Sequence, residues 1–254
     1  MFAVKRLAKL IPQPFYMTKC HTLLMLLFCT LITVGCGQSA PSKNGESPAK
    51  QSNAERFQEW LSVQEHYLYD VNSPYRDEEA YIPVLEEIIG SPYADSAQKV
   101  RAERDLPLFS LNRIGRPASD FRFTLRTGRQ QSLYEVRADY ILLIFSNPGC
   151  EACKEVQKRL EAERGIRQMM ESGSLKVVNI YPDDNLEDWM ENSAEYPSKW
   201  ISGYAPQVDE AKEWELPLYN IRAIPTFYLL DREHRTLVKD APLERIAAYL
   251  LQES

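Results

Sequence analysis

Tyr140-Ile141-Leu142-Leu143-Ile144-Phe145 runs through Ser146-Asn147-Pro148-Gly149 into Cys150-Glu151-Ala152-Cys153. Six consecutive apolar residues are what a central strand needs when both of its faces are covered. Pro148-Gly149 breaks that strand. An amphipathic helix with Val156 and Leu160 on one face then begins at the cysteines. Two sulfurs with two residues between them at a helix start come close enough to form a small-ring disulfide. The free N–H groups and positive dipole end of the helix stabilise a thiolate at Cys150. Cys153, one turn inside, is more shielded and suited to resolving a mixed disulfide. The Glu151 carboxylate opposes the thiolate slightly, so the expected site activates a thiol without being an extreme oxidant.

Other uses of a Cys-x-x-Cys pair fit less well. A c-type haem site needs His directly after the second Cys, and Lys154 stands there. Structural zinc needs four ligands. Only His66 and His234 are available to help, and nothing in the sequence places them together. An inert staple gains little, because the loop it closes is so short. No metal and no cofactor is expected.

Downstream, a second helical stretch lies around Met169, followed by a buried strand at Val177-Val178-Asn179-Ile180. Strand, helix and strand make a βαβ unit with parallel pairing. Thr226-Phe227-Tyr228-Leu229-Leu230, the turn Asp231–Arg235 and Thr236-Leu237-Val238 read as a hairpin. Leu243, Ile246, Ala247, Leu250 and Leu251 give the last helix its apolar stripe.

Upstream, Phe121–Arg126 alternates apolar and polar as a half-buried strand does. Thr127-Gly128 then turns the chain, and Ser132-Leu133-Tyr134 follows. Residues 54–110 read as helical, with Phe57, Trp60, Leu61 and Leu68 near one face. Asn72-Ser73-Pro74 is a turn. Tyr81, Val84, Leu85, Ile88 and Ile89 form a second stripe, with Pro83 in its first turn and Gly90 expected as its C-cap. A third, more polar helix is expected from about Ala94 to Asp105. The aromatics Trp60, Tyr67, Tyr69, Tyr75 and Tyr81 are read as helix-packing core.

The first 22 residues carry Lys5, Arg6, Lys9 and Lys19 and no acid. The twelve residues Leu23–Val34 that follow are uncharged and mostly apolar, too short to span a bilayer and suited to a signal peptide. Thr33-Val34-Gly35-Cys36 closes them and resembles a bacterial lipobox, in which a small residue precedes a lipid-bearing Cys. The position three before the Cys, usually Leu, is Thr33. Met17 would start a signal of ordinary length. Cleavage before Cys36 removes Cys20, Cys29, four of the 30 basic residues and none of the 36 acidic ones, taking the net charge from −6 to −10. Cys36 is then the lipidated residue and Cys150 with Cys153 the one remaining pair. An exported location permits disulfide chemistry. Residues 37–53, poor in apolar side chains, read as a flexible tether. A net-acidic chain of 254 residues, 44% hydrophobic, makes a nucleic-acid partner unexpected and suits one packed domain with additions.

Two separated pieces, Ile141–Cys153 and Tyr219-Asn220-Ile221-Arg222-Ala223-Ile224-Pro225-Thr226, make the chain resemble the thioredoxin superfamily. The likeness is nearest to the membrane-tethered extracytoplasmic thiol–disulfide oxidoreductases of the TlpA/ResA type, and it covers residues 117–254. It implies an α/β thioredoxin-like fold, a central mixed sheet flanked by helices. An N-terminal helical extension precedes it, and an insertion lies between the Cys-x-x-Cys helix and the cis-proline strand. It implies that Cys150 and Cys153 are catalytic. Pro225 is then cis and faces the cysteines, and Ile224 and Pro225 orient the substrate. The partners are protein thiols and disulfides of the cell envelope. Asp183–Leu218 would supply the insertion, with Trp189, Trp200, Tyr204 and Trp214 read mainly as its packing.

Two positions depart from the family pattern. Ile144 stands where thioredoxin has a buried Asp that accepts protons, six residues before the first Cys, and Gly149 replaces the usual aromatic. Proton handling then falls to water or another acid, with Glu151 and Glu155 the candidates. A peroxidase of this superfamily would need a Pro-x-x-x-Thr-x-x-Cys loop, which Asn147-Pro148-Gly149-Cys150 lacks. Tyr67-Leu68-Tyr69-Asp70, Asn72-Ser73-Pro74 and Tyr81-Ile82-Pro83 resemble the helical leader before thioredoxin-like domains in envelope lipoproteins of Bacteroidetes-type bacteria.

The expected organisation is a lipoprotein signal at 1–35, a tether at 36–53, a helical leader at 54–116 and a thioredoxin-like domain at 117–254. The expected function is disulfide exchange by a lipid-anchored, periplasm-facing envelope protein. The competing reading is a non-enzymatic envelope binding lipoprotein whose cysteine pair is structural.

Overall fold

The computed structural model describes residues 51–210 and 215–252. The expected signal, the lipidation site Cys36, the tether up to residue 50 and Trp214 lie outside the described residues.

Three capped helices come first. In α1 (Asn53–Gln64), Ser52 accepts from the Glu55 N–H and Glu55 accepts from the Ser52 N–H, a reciprocal cap. A π-helical turn, Glu65–Tyr69, continues it. Asp77 caps α2 (Glu78–Gly90), and Asp95 with Gln98 caps α3 (Ser96–Phe109). Phe57, Leu61, Tyr81, Leu85, Ile88, Ala102 and Phe109 close their shared core. Two expectations need correcting. Pro83 is the sixth residue of α2, not in its first turn, and it is exposed. Gly90 ends α2 as an ordinary helical residue, and the cap is Ser91 in extended conformation, so no left-handed glycine closes this helix.

The sheet follows: β1 (Arg122–Leu125), β2 (Gln130–Ser132), β3 (Tyr140–Phe145), then α4 (Glu151–Ala162), α5 (Arg164–Ser172), β4 (Leu175–Tyr181) and α6 (Leu186–Asn192). β5 (Ile201–Tyr204), β6 (Thr226–Asp231), β7 (Thr236–Lys239) and α7 (Leu243–Gln252) complete it. Strand order is β2-β1-β5-β4-β3-β6-β7. β3 pairs parallel with β4 and antiparallel with β6, and β6 pairs antiparallel with β7. The mixed sheet flanked by helices is therefore the one expected. β5 was not expected. It lies within the insertion, parallel to β4 and antiparallel to β1, and so joins the outer β1–β2 hairpin to the sheet.

β3 alternates its side chains between two cores. Ile141, Leu143 and Phe145 pack with Phe121, Phe123, Val178, Ile180, Tyr219 and Tyr228. Leu142 and Ile144 pack on the other face with Leu160, Ile166, Phe227, Leu229, Ile246 and Leu250, the side covered by α4, α5 and α7. Trp189 and Trp200 are buried, in keeping with packing roles.

The described residues belong to one compact unit, Lys50–Ser254, and buried charges join the leader to the sheet. Glu78, fully buried on α2, lies 3.4 Å from Lys239 Nζ on β7 and 3.4 Å from Arg222 Nε. Asn220 Nδ2 donates to Glu78 Oε1. Lys239 also donates to the carbonyls of Phe109 and Leu111 at 2.5 and 2.8 Å. Arg222 donates to Tyr69 O and Asp240 Oδ2, both at 2.6 Å, and its guanidinium lies over the Tyr69 and Phe109 rings.

Candidate functional site

β3 ends at Phe145, and four residues later Gly149 takes φ +76°. That left-handed conformation suits glycine and accounts for the absence of an aromatic there. The chain then enters α4 with Cys150 as the N-cap residue. The Cys153 N–H donates to Cys150 Sγ at 3.2 Å. The sulfur thus occupies the place a Ser or Asp oxygen takes in an ordinary cap, where an anion is stabilised by free N–H groups. Both thiols are free; Cys150 is partly exposed and Cys153 buried. Burial, and then the hydrogen bond with Cys150, pushes the Cys153 thiol up to about 12. The pair is asymmetric in the sense expected, with one accessible sulfur at the helix end and one shielded sulfur kept protonated.

The Ile224–Pro225 peptide bond is cis. Ile224 and Pro225 share a groove of about 290 Å³ with Ala152, the residue between Glu151 and Cys153. The two sequence pieces distant along the chain therefore meet at one surface. Val156 and Phe227 also line it, as do Val71, Asn72 and Arg76 of the leader. The leader's part in this groove was not visible in the sequence.

The proposed acid–base candidates are not held near the sulfurs by burial. The Glu151 side chain is 88% exposed and sits 3.6 Å from Lys154 Nζ, and Glu155 is also exposed. Ile144 is buried in apolar surroundings. A polar cluster forms from three other residues: Ser146 just after β3, Asn179 on β4 and Tyr196 from the insertion. Ser146 Oγ donates to Asn179 Oδ1 at 2.7 Å and lies 3.1 Å from the Tyr196 hydroxyl. Sequence reading missed all three, because only the fold brings them together.

His66 and His234 are apart in role. His234 is buried, stacked on Tyr134 with Nε2 3.1 Å from Val136 O, whereas His66 is exposed in the leader. Among the described residues no group of three or more His, Cys, Asp or Glu side chains is arranged to hold a metal, and no helix is long and apolar enough to cross a membrane.

Comparison with known proteins finds chains of the same fold. A family described as a domain of unknown function, DUF5106, matches residues 38–112. The chain is similar to a thioredoxin-like protein from Bacteroides caccae at 42% identity and a TM-score of 0.71, over 80% of this chain and 72% of that one. It is also similar to the C-terminal domain of an uncharacterized protein from Bacteroides fragilis, at 40% identity and a TM-score of 0.51, over 55% of this chain and 98% of that one. A conserved protein of unknown function from the same species matches at 34% identity and a TM-score of 0.51, over 54% and 98%. A search of curated proteins found no match.

Proposed function

Because the chain belongs to the thioredoxin-like proteins, we propose that it is a thiol–disulfide oxidoreductase exchanging disulfides with proteins of the cell envelope. The observation that carries this reading is Cys150 Sγ capping α4, with the Cys153 thiol buried behind it. In the reducing direction the Cys150 thiolate attacks a substrate disulfide and one substrate sulfur leaves. Cys153 then displaces the second substrate sulfur, leaving a Cys150–Cys153 disulfide and a substrate dithiol. In the oxidising direction the same steps run backwards. Ile224 and Pro225, on the groove beside Ala152, orient the substrate chain. The protein acts at a membrane surface through lipid on Cys36, after removal of residues 1–35.

Cys150→Ser is expected to abolish both insulin-disulfide reduction and reoxidation of a reduced partner. Cys153→Ser is expected to accumulate mixed disulfides, visible as adducts on non-reducing gels. Wild-type turnover by Cys150→Ser would reject the assignment. Mass spectrometry of the protein from its membrane should show a diacyl- or triacyl-modified Cys36 at the N-terminus; an unmodified terminus would remove the anchor from this reading.

A further inference from the structure

The groove beside Ala152 is lined by three stretches far apart in the chain: Ala152 and Val156 of α4, Ala223-Ile224-Pro225, and Val71-Asn72 of the leader. The leader turn is tied down on both sides. Ser73 Oγ donates to Tyr67 O at 2.7 Å, and the Asp77 N–H donates to Leu68 O at 3.1 Å, closing the turn on itself. Arg222, three residues before Pro225, donates to Tyr69 O at 2.6 Å. Arg76 donates to Ala241 O at 3.3 Å and lies 3.4 Å from Asp240 Oδ1. A surface held in place before binding loses little order when a ligand arrives. The groove is also close to the reacting sulfur along the chain. Ala152 is two residues after Cys150, and two residues span at most about 7 Å, as do two residues of an extended substrate. The groove therefore receives side chains near the substrate's own Cys. Val71, Val156, Ile224, Pro225, Phe227 and Leu243 make much of its lining apolar. Its charges are two cations and two carboxylates, paired as Arg76 with Asp240 and Arg159 with Glu244. A charged occupant finds no free partner among them, whereas an apolar one loses water against the aliphatic lining.

We infer that Val71 and Asn72 of the leader are specificity-determining residues, and that the protein favours disulfides in which an uncharged, apolar side chain flanks the reacting Cys. The inference rests on the oxidoreductase reading above. The exchange keeps its balance: the protein dithiol and a disulfide-linked peptide pair give the Cys150–Cys153 disulfide and two peptide thiols. The two thiol protons pass, by way of water, to the two peptide sulfurs. The leader takes no part in those bond changes. It selects the substrate, and so belongs to the substrate site rather than serving as a spacer ahead of the sheet.

The probes are three disulfide-linked dimers of the end-blocked peptide Ser-X-Cys-X-Ser, where X is Leu, Lys or Glu. The reduced full chain is mixed with each at pH 7.5, and release of peptide thiol is followed by chromatography. Dividing each rate by that of dithiothreitol on the same dimer removes the disulfide's intrinsic reactivity. The Leu dimer should react about tenfold faster than either charged dimer, the low end for a side chain fitted to an apolar pocket. Val71→Asp should raise the Lys-to-Glu rate ratio about fivefold, the upper end of what an exposed ion pair supplies. Asn72→Asp, at an exposed position, should raise it likewise. A merely structural role would slow all three dimers alike and leave the ratio at its wild-type value. Equal normalised rates for the three dimers with the wild type would overturn the substrate class. An unchanged ratio in both variants, or in Asn72→Asp alone if Val71→Asp does not fold, would overturn the leader's role. Either result leaves the oxidoreductase reading intact. No exchange with any dimer, by the reduced chain or in reverse by the oxidised chain with the reduced peptides, would overturn both readings.

Discussion

Burial separates two thiols that are three positions apart. Cys153, only 7% exposed and pushed up to about 12, stays protonated at neutral pH, while Cys150 is partly exposed at the helix end. Iodoacetamide at pH 7.5 should therefore label Cys150 in the reduced protein and spare Cys153, as read by peptide mass spectrometry. Comparable labelling of both would contradict the asymmetry. At this scale the sequence was most legible where chemistry is local. The Cys-x-x-Cys pair after an apolar run announces a helix-end thiol, and Ile224-Pro225-Thr226 opens the strand that meets it. Tyr196 was not legible. A tyrosine between Glu195 and Pro197 has no local signature, and its meaning comes from Ser146 and Asn179, which belong to two other segments.

Among the elements, β3, β6 and α7 were visible because unbroken apolar runs and a 3.6-residue stripe leave little choice. β5 was invisible. Ile201-Ser202-Gly203-Tyr204 is four residues long, and its Gly and Ser suggest a loop. Tertiary pairing makes it a strand, and its glycine is part of the fit. Gly203 pairs with Leu125 on β1 and Ile180 on β4. A Cβ there would meet the Phe123 ring and its Cβ between 2.4 and 3.1 Å. Phe123 is 1% exposed and cannot swing away. Gly203→Ala should therefore cost about 1–3 kcal/mol, the usual range for overpacking. Gly165→Ala is the control, because the atoms in its way are the end of the exposed Leu251 side chain. It should lose less than the Gly203 variant. Urea unfolding of the two checks this, and equal midpoints would show that the β1–β5 contact is not close-packed.

For the molecule as a whole, Glu78, Lys239, Arg222 and Asp240 bind the leader to the sheet, and Asp240 lines the same groove as Ala223, Ile224 and Pro225. Each looks like a surface charge in sequence, since partners from α2, β7 and the loop before β6 are far apart along the chain. Removing one partner from a buried pair leaves the other charge uncompensated. Above pH 7, where Glu78 is ionised, Glu78→Ala should therefore destabilise the chain by about 3–5 kcal/mol; a loss below about 1 kcal/mol there would mean that Lys239 finds another way to be satisfied. Burial, with Asp240 beside it, pushes Glu78 up to about 7, against the pull of Lys239 and Arg222. The native state then holds a proton that the unfolded chain releases near the ordinary value of 4.5. Stability from this group is present below that value and is lost as pH rises through about 7. The wild type should lose stability relative to Glu78→Gln across this window, seen as converging or crossing urea midpoints, and a constant difference would contradict it.

The central claim, that Cys150 and Cys153 form a working redox couple, is tested most directly by equilibrating the protein in defined thiol–disulfide buffers and following the pair by mass spectrometry. A reversible two-electron transition between about −120 and −270 mV, the span of known exchange proteins, is expected. A disulfide that remains oxidised below about −300 mV is a structural bond and would contradict the claim in favour of a binding lipoprotein.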